Sequence, residues 1–159
     1  MFEIGDKIVY PMHGAGVVEA VEEKEILGEK QRYYIIKMPI GSMKVMVPVK
    51  KASGLGIRLV VDAHTLENVL LLLHNEESDK LIPWNQRYRL NMEKMKTGNI
   101  QDSAEVVRDL MRRNEEKILN TSEKRMLDSA RQILISELVL VKGFTENQAT
   151  DLLDREINY

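Results

Sequence analysis

The apolar pattern of this chain changes its period near residue 50, and that change limits the folds open to it. Before residue 50, short runs rich in Val, Ile and Tyr alternate with turn residues, which is typical of β-strands. After residue 56, apolar residues recur every three or four positions, which is typical of amphipathic helices. The sequence therefore predicts an α+β chain, with a small β unit followed by an all-helical unit.

Four or five short strands are predicted in the β unit. Turn residues at 11–16, 27–29 and 39–42 separate the apolar runs, and Pro48 ends the last run. Strands of this length and spacing suggest a small, strongly bent sheet or an SH3-like barrel. Such a module exposes at least one sheet edge.

About five helices are predicted in the helical unit. Thr65 is expected to cap the first helix, which ends near His74-Asn75, and Pro83 to lie in the first turn of the second. The third is expected to start near Asn99 or Asp102. The predicted divisions are a β domain at 1–52, a linker at 53–63 and a helical domain at 64–159.

The last two predicted helices carry clear boundary signals. The fourth and longest follows Asn120 and stops at Gly143. The fifth begins at Thr145-Glu146-Asn147-Gln148, a capping-box pattern. The sequence therefore predicts a helical bundle that ends close to the last residue.

Composition limits the compartment and the chemistry. The chain has 159 residues, 43% hydrophobic and 30% charged, and a net charge of −2, as in soluble globular proteins. It has no cysteine, which excludes disulfides and thiolate metal sites and fits a reducing compartment. The longest apolar run is residues 69–73, far below the roughly 20 that a membrane span needs. The start also lacks a cationic leader, so we expect a cytoplasmic protein with no membrane partner.

Catalytic patterns are missing from the sequence. The segment Gly54-Leu55-Gly56 lacks the third glycine and the strand–helix context of a dinucleotide site. The three histidines, His13, His64 and His74, have no metal-binding spacing, and no serine lies in a GxSxG turn. We therefore expect neither an enzyme nor a bound cofactor or metal.

A basic segment surrounds the single tryptophan. Residues 80–131 carry twelve Lys or Arg and eight Asp or Glu, a local balance of +4. Between Trp84 and Lys96 there are four bases and one acid, with amide side chains between them. A large ring beside long cations at a helix start suggests a nucleic-acid surface, because phosphates attract the cations and bases stack on the ring. The alternative, favoured by composition alone, is a Trp84 packed in the core beside ordinary solvated charges.

A second basic cluster, Lys124-Arg125 with Arg131, stands near the predicted start of the fourth helix. Cations there oppose the helix dipole instead of complementing it. This local misfit hints at an anionic ligand.

Several stretches of the chain resemble the CarD/CdnL family of bacterial transcription regulators. Residues 5–14 (GDKIVYPMHG) resemble the family's opening, whose first domain is related to the polymerase-interacting module of the transcription-repair coupling factor. The second half resembles the family's helical domain at Trp84, Arg87-Tyr88, residues 104–110 (AEVVRDL), 123–127 (EKRML) and 130–134 (ARQIL). The resemblance covers essentially the whole chain.

The resemblance implies a Tudor-like barrel that binds the β subunit of RNA polymerase, and a helical domain that contacts promoter DNA with little sequence preference. It implies that Trp84 inserts in the minor groove at the upstream edge of the melted bubble and stabilises the open complex. It also implies a nucleoid association through the polymerase. Nothing in the sequence demands a dimer, so we expect a monomer. The implied DNA-binding residues are Trp84, Asn85, Arg87, Tyr88, Arg89, Lys124 and Arg125.

The implied polymerase-binding residues lie in the β unit. Lys24 and Ile26 match family positions that face the polymerase, and Lys24 keeps a positive charge there. Met46 stands where relatives can place an arginine, so a charge contact is lost. Pairing along Val45-Met46-Val47 can survive that change, because strand addition draws its affinity from main-chain hydrogen bonds.

The sequence also leaves a second functional class open. The chain could be a protein-only adaptor whose two units bind other proteins, with Trp84 in the core and no DNA contact. In that case Trp84→Ala should destabilise the fold by about 3–5 kcal/mol. The exposure of Trp84 is the observation that separates the two classes.

Overall fold

The computed structural model of the protein describes residues 1–39, 41–74 and 82–157. Within these ranges, five β-strands precede five α-helices, which confirms the predicted α+β class and the order of its two parts. The predicted turn at 39–42 includes Ile40, and the predicted end of the first helix includes Asn75. Both residues lie outside the described ranges. No helix built from described residues has the length and apolar character needed to cross a bilayer.

The strands form one antiparallel sheet in the order β4-β3-β2-β1-β5. The long second strand pairs with β1 through its first four residues and with β3 through most of its length, and a register shift between Val18 and Ala20 interrupts the β2–β3 ladder. Such irregularities bend a strand, as a small barrel-like sheet requires. The strands are β1 (Lys7–Tyr10), β2 (Gly14–Ile26), β3 (Glu29–Lys37), β4 (Lys44–Pro48) and β5 (Arg58–Leu59).

The turn between β2 and β3 has two residues with positive φ. Leu27 has φ 53° and Gly28 has φ 81°, the left-handed pair that matches the twist of a tight hairpin. Glycine adopts this conformation freely, whereas leucine does so rarely. The predicted turn is confirmed, and it presents an apolar side chain at the tip of a long hairpin.

The fifth strand lies inside the segment predicted as a linker at 53–63. Leu59 pairs with Ile8 and Arg58 with Val9 on β1. Two residues carry no detectable β pattern, and their partner is 50 positions away in the chain, so local sequence gives no signal for this strand. The core of the sheet comprises Ile8, Val18, Tyr34, Ile36, Met38, Val47, Ala52 and Ile57.

All five predicted helices are present, and they share one apolar core. The longest, α4, contributes Met126, Ala130, Leu134 and Leu138 to that core and packs against α3 and α5. It also packs against β2, so it joins the bundle to the sheet. The helices are α1 (Ala63–His74), α2 (Trp84–Thr97), α3 (Ile100–Glu116), α4 (Thr121–Lys142) and α5 (Glu146–Ile157).

The first helix begins earlier than predicted, and its cap is a different residue. The Asp62 carboxylate accepts a hydrogen bond of 2.7 Å from the Thr65 backbone N–H, so Asp62 caps α1 and Thr65 lies in its first turn. The prediction of Thr65 as the cap is wrong because Asp62 already supplies the acceptor that N-terminal N–H groups need. This hydrogen bond also lowers the pKa of the Asp62 carboxyl.

The remaining boundaries follow the sequence signals. Of the two alternatives for α3, Asn99 is the cap, and its side chain accepts a 2.8 Å hydrogen bond from the Gln101 N–H. Asn120 caps α4, and Gly143 ends it with φ 70°. Thr145 and Gln148 exchange hydrogen bonds in the predicted capping box.

We expect Asn99→Ala to lower the free energy of unfolding by about 1 kcal/mol, because the orphan N–H groups of α3 lose their acceptor. Chemical denaturation monitored by circular dichroism measures this. Asn99→Ser is the matched control and should remain near the parent protein, because serine also accepts at this position. Equal losses in the two variants would show that the cap is not the cause.

Candidate nucleic-acid interface

Trp84 is the first residue of α2, and its side chain is exposed. Pro83 precedes it with φ −56° and ψ 147°, an extended conformation, so the proline stands just outside the helix and not in its first turn. The indole-bearing residue retains 54% of its accessible surface. A large ring on the surface is uncommon for tryptophan and marks a contact site more often than an isolated leucine does. This exposure removes the premise of the adaptor alternative, which placed Trp84 in the core.

Arg87 fixes the start of α2 against the start of α4. Its Nε and Nη2 atoms donate hydrogen bonds of 3.0 and 2.9 Å to the two carboxylate oxygens of Glu123. The Glu123 side chain is only 3% exposed, and its backbone N–H is donated to the Asn120 cap. Paired, bidentate geometry is what makes a buried carboxylate tolerable. The predicted phosphate ligand Arg87 is thus engaged inside the protein, one helical turn from Trp84.

Two other predicted DNA-binding residues lie together in a groove between α2 and α4. Tyr88 is half-buried against the helical core, and Arg125 is exposed on α4. The groove has a volume of about 190 Å³. Its lining residues are Met12, Tyr88, Met92, Met95, Ser122, Arg125, Met126 and Ser129. Arg125 therefore stands across this groove from the helix that begins with Trp84.

Asn85, Arg89 and Lys124 are also exposed. Arg89 is five residues beyond Trp84, which places it about 140° away around the helix axis. The Asn85 side chain accepts a 2.9 Å hydrogen bond from the next backbone N–H. Lys124 directly follows the buried Glu123, so it lies near the ion pair that secures α2.

The free positive charge around Trp84 is smaller than the sequence count suggests. Arg87 pairs with Glu123, and Lys94 pairs with Glu105 at 3.0 Å. Four exposed cations of α2 and α4 make no ion pair with any residue in the described ranges. They are Arg89, Lys96, Lys124 and Arg125. These side chains remain available to an anionic partner.

The predicted polymerase-binding strand is an edge strand. β4 pairs with β3 on one side, and no strand among the described residues pairs with its outer side. Val47 is buried in the sheet core, Val45 packs against that core, and Met46 is 41% exposed. An incoming strand would therefore meet the main chain of β4, whose exposed side chains are Lys44 and Met46.

Lys24 and Ile26 lie on the arm of the β2–β3 hairpin that extends past β4. β4 pairs with residues 33–37 of β3, whereas Lys24 pairs with Gln31 and Ile26 with Glu29. Both residues are exposed, and Lys24 makes a surface ion pair with Glu22 at 3.4 Å. Sequence reasoning missed Leu27, which is 99% exposed at the hairpin tip. The sequence feature that could have identified Leu27 is an apolar residue in a tight turn, where asparagine or glycine is usual.

Glu123 and Glu137 were also missed as structural determinants. Both are acids on the amphipathic helix α4. Because the chain has 25 acids, nothing in the sequence distinguishes these two from solvated surface charges. Each carboxylate is almost fully buried and pairs with an arginine from another part of the chain. Only the tertiary fold distinguishes them.

Family models match both parts of the chain. Residues 2–61 match the CarD-like/TRCF RID domain, and residues 68–154 match the CarD C-terminal domain. The chain is also 57% identical over 148 residues to the Bacillus subtilis (strain 168) protein named "Putative transcription factor YdeB", and this match covers 93% of the chain and 97% of that relative. These similarities, together with the sheet-then-helices architecture, confirm the predicted family: the chain belongs to the CarD family of transcription factors.

Proposed function

We propose that this protein binds RNA polymerase through its sheet and stabilises the open promoter complex by inserting Trp84 into DNA at the upstream edge of the bubble. The observation that supports this most is the exposed Trp84 ring at the start of α2, held by a buried ion pair one turn away. The proposal assigns binding and not catalysis, because a wedge shifts an equilibrium between two DNA states.

An apolar wedge distinguishes melted from closed DNA without reading bases. Inserting a side chain between stacked base pairs costs a few kcal/mol of stacking energy. At the edge of a bubble part of that stacking is already lost, so the ring binds the open state better than the closed state. A ligand shifts an equilibrium only through such a difference in affinity. Bubble collapse must then expel the ring first, which lengthens the lifetime of the open complex.

Phosphate contacts are assigned to Lys124 and Arg125. Both are exposed, unpaired within the described ranges, and carried by the helix that anchors Arg87. Their attraction acts within a Debye length of about 10 Å, so the net charge of −2 does not prevent it. Arg87 is a positioning residue in this proposal, since its guanidinium holds α2 in place.

Tethering explains how such a small charged surface suffices. Few free cations give weak DNA affinity on their own, because each phosphate contact adds a modest electrostatic contribution. A protein bound to polymerase through β4 meets promoter DNA as an intramolecular partner, at an effective concentration of about millimolar for a short connection. Weak contacts then act without sequence recognition, and the polymerase supplies the location.

We expect Trp84→Ala to shorten the open-complex lifetime at least about tenfold relative to the parent protein, since a contribution of 1.4 kcal/mol corresponds to a factor of ten. Polymerase binding should not change, and the free energy of unfolding should fall by less than about 1 kcal/mol because the ring is half exposed. Heparin-challenge decay of preformed open complexes gives the lifetime. Leu90→Ala, which truncates an exposed apolar residue elsewhere on α2, is the control and should have little effect. An unchanged lifetime with Trp84→Ala would refute the wedge.

We expect the double substitution Lys124→Ala/Arg125→Ala to weaken DNA contact in a salt-dependent manner. Each lost phosphate contact should reduce the slope of log K against log salt by about 1, so the double variant should lose about 2. Crosslinking or anisotropy with a forked promoter fragment, in the presence of polymerase, measures the slope. Arg155→Ala removes an exposed cation of α5 and should leave it unchanged. Equal slopes in all three proteins would contradict the assignment.

We expect Met46→Arg to tighten polymerase binding and Met46→Glu to weaken it. Met46 is an exposed side chain on the β4 edge, at the position where the family resemblance implies an arginine in relatives. A surface charge pair contributes up to about 1 kcal/mol, so each change should alter the dissociation constant by no more than about fivefold. Biolayer interferometry with core polymerase provides the comparison. Identical affinities for the two charges would place Met46 outside the interface.

A further inference from the structure

The most deeply buried charge in the described structure lies where the sheet meets the helices. The Glu137 side chain of α4 is 1% exposed. Its two oxygens accept hydrogen bonds of 2.9 and 3.0 Å from Arg58 Nη2 and Nη1, and its Oε2 also accepts one of 2.9 Å from the Val61 backbone N–H. One carboxylate therefore joins β5, the segment after β5, and the longest helix.

Arg58 extends this connection to the helix that carries Trp84. Its Nε donates a 2.7 Å hydrogen bond to the carbonyl of Gly98, the residue that ends α2. The two Nη atoms of Arg58 thus bind Glu137, and its Nε binds the end of α2. Arg58 itself belongs to β5, which is paired with β1 of the sheet. A single side chain links the sheet, α4 and the Trp84 helix.

Close contacts flank the Arg58–Glu137 pair on the same junction. The Ala15 N–H of β2 donates a buried 2.8 Å hydrogen bond to Ser136 Oγ of α4. Gly98 has φ 71°, and a Cβ on it would lie 2.7 Å from Pro11 Cγ of the sheet unit. Only glycine fits there, for reasons of both backbone conformation and space. The two units therefore meet through a specific, close-packed surface.

We propose that Arg58 and Glu137 are positioning residues that hold the sheet and the Trp84 helix in one fixed arrangement, so that polymerase binding at β4 places the ring at the bubble edge. This inference rests on the proposed function. Removing two charges from water is costly, and such pairs are often no better for stability than apolar residues. The geometry here fits a role in orientation, because Arg58 of β5 bonds to α4 and to the end of α2, while Glu137 also accepts from the segment after β5.

A fixed arrangement of the two units matters because only the β unit is proposed to bind polymerase. If the two units rotated freely, only a fraction of polymerase-bound molecules would present the ring correctly. The apparent affinity for the bubble edge falls by that same fraction. A junction that reduces the correct arrangement to about one third of the population should therefore raise the half-maximal protein concentration for open-complex stabilisation about threefold.

The distance between the units can be measured directly, because the chain contains no cysteine. Leu27 in the hairpin and Glu93 in α2 are both exposed, so the substitutions Leu27→Cys and Glu93→Cys give two sites for spin labels. Pulsed dipolar spectroscopy should give one narrow distance distribution in the otherwise unchanged protein. We expect Arg58→Lys to broaden it, since lysine cannot bond both carboxylate oxygens and the Gly98 carbonyl together. Glu137→Gln, which keeps the shape but removes the charge, is the second variant if Arg58→Lys fails to fold.

Function is tested with the same variants, without the added cysteines. We expect the half-maximal concentration for lengthening the open-complex lifetime to rise at least about threefold in Arg58→Lys, while affinity for polymerase without promoter DNA stays unchanged. Lys142→Ala is the matched control, because its ion pair with Glu67 joins α4 to α1 within the bundle. Lys142→Ala should neither broaden the distance distribution nor change the half-maximal concentration, even if it lowers the melting temperature as much as Arg58→Lys does.

The outcomes separate this inference from the proposed function. A narrow distance distribution in both Arg58→Lys and Glu137→Gln overturns the proposed positioning role. A broad distance with an unchanged half-maximal concentration also overturns it, because orientation would then not matter. If the protein that retains Arg58 and Glu137 does not lengthen the open-complex lifetime, the proposed function fails, and with it the positioning role.

Discussion

Two buried carboxylates on α4 determine where Trp84 stands. Glu123 near the start of the helix pairs with Arg87 in the first turn of α2, and Glu137 pairs with Arg58, which also binds the carbonyl that ends α2. The two glutamates are 14 residues apart, or about 21 Å along a helix. α2 is thus secured near both ends, and its first residue is the exposed tryptophan. Removing either arginine would leave a buried negative charge without compensation, which commonly costs about 3–5 kcal/mol.

These contacts hold the β unit and the helical unit in a fixed arrangement, as the proposed attachment to polymerase requires. The sheet offers an edge strand and an extended hairpin on one part of the molecule, while α2 and α4 offer the ring and the free cations on another. Between them lie close-packed backbone, an ion pair and hydrogen bonds in place of a flexible connection. Under the proposed function, rigidity of this kind helps weak DNA contacts, because the geometry is established before the DNA is met.

Local signals predicted most of the fold. The periods of the apolar residues indicated five helices, and Asn120, Gly143 and the Thr145 capping box marked their ends. The two-residue strand β5 could not be predicted, because it carries no periodicity and depends on a partner 50 residues away. The cap of α1 was assigned to Thr65 although Asp62 stood three residues before it.

The candidate site was predicted less completely, for a related reason. Trp84 was identified because a lone tryptophan among cations is conspicuous in the sequence, and its exposure agrees with that choice. Whether a given charge is paired is decided by tertiary contacts. Arg87 therefore looked like a phosphate ligand, and Glu123 and Glu137 looked like solvated acids, although all three carry buried or partly buried ion pairs.

The single tryptophan of the chain permits a direct test of the central claim. The protein can be produced with 7-azatryptophan at Trp84, which is excited selectively in the presence of unlabelled polymerase. Acrylamide quenching of its emission would then be compared for the free protein, the polymerase complex and the open promoter complex. We expect quenching to stay high in the first two and to fall sharply only with open promoter DNA, because insertion between bases shields the ring. Equal quenching in the polymerase complex and the open promoter complex would contradict insertion of Trp84.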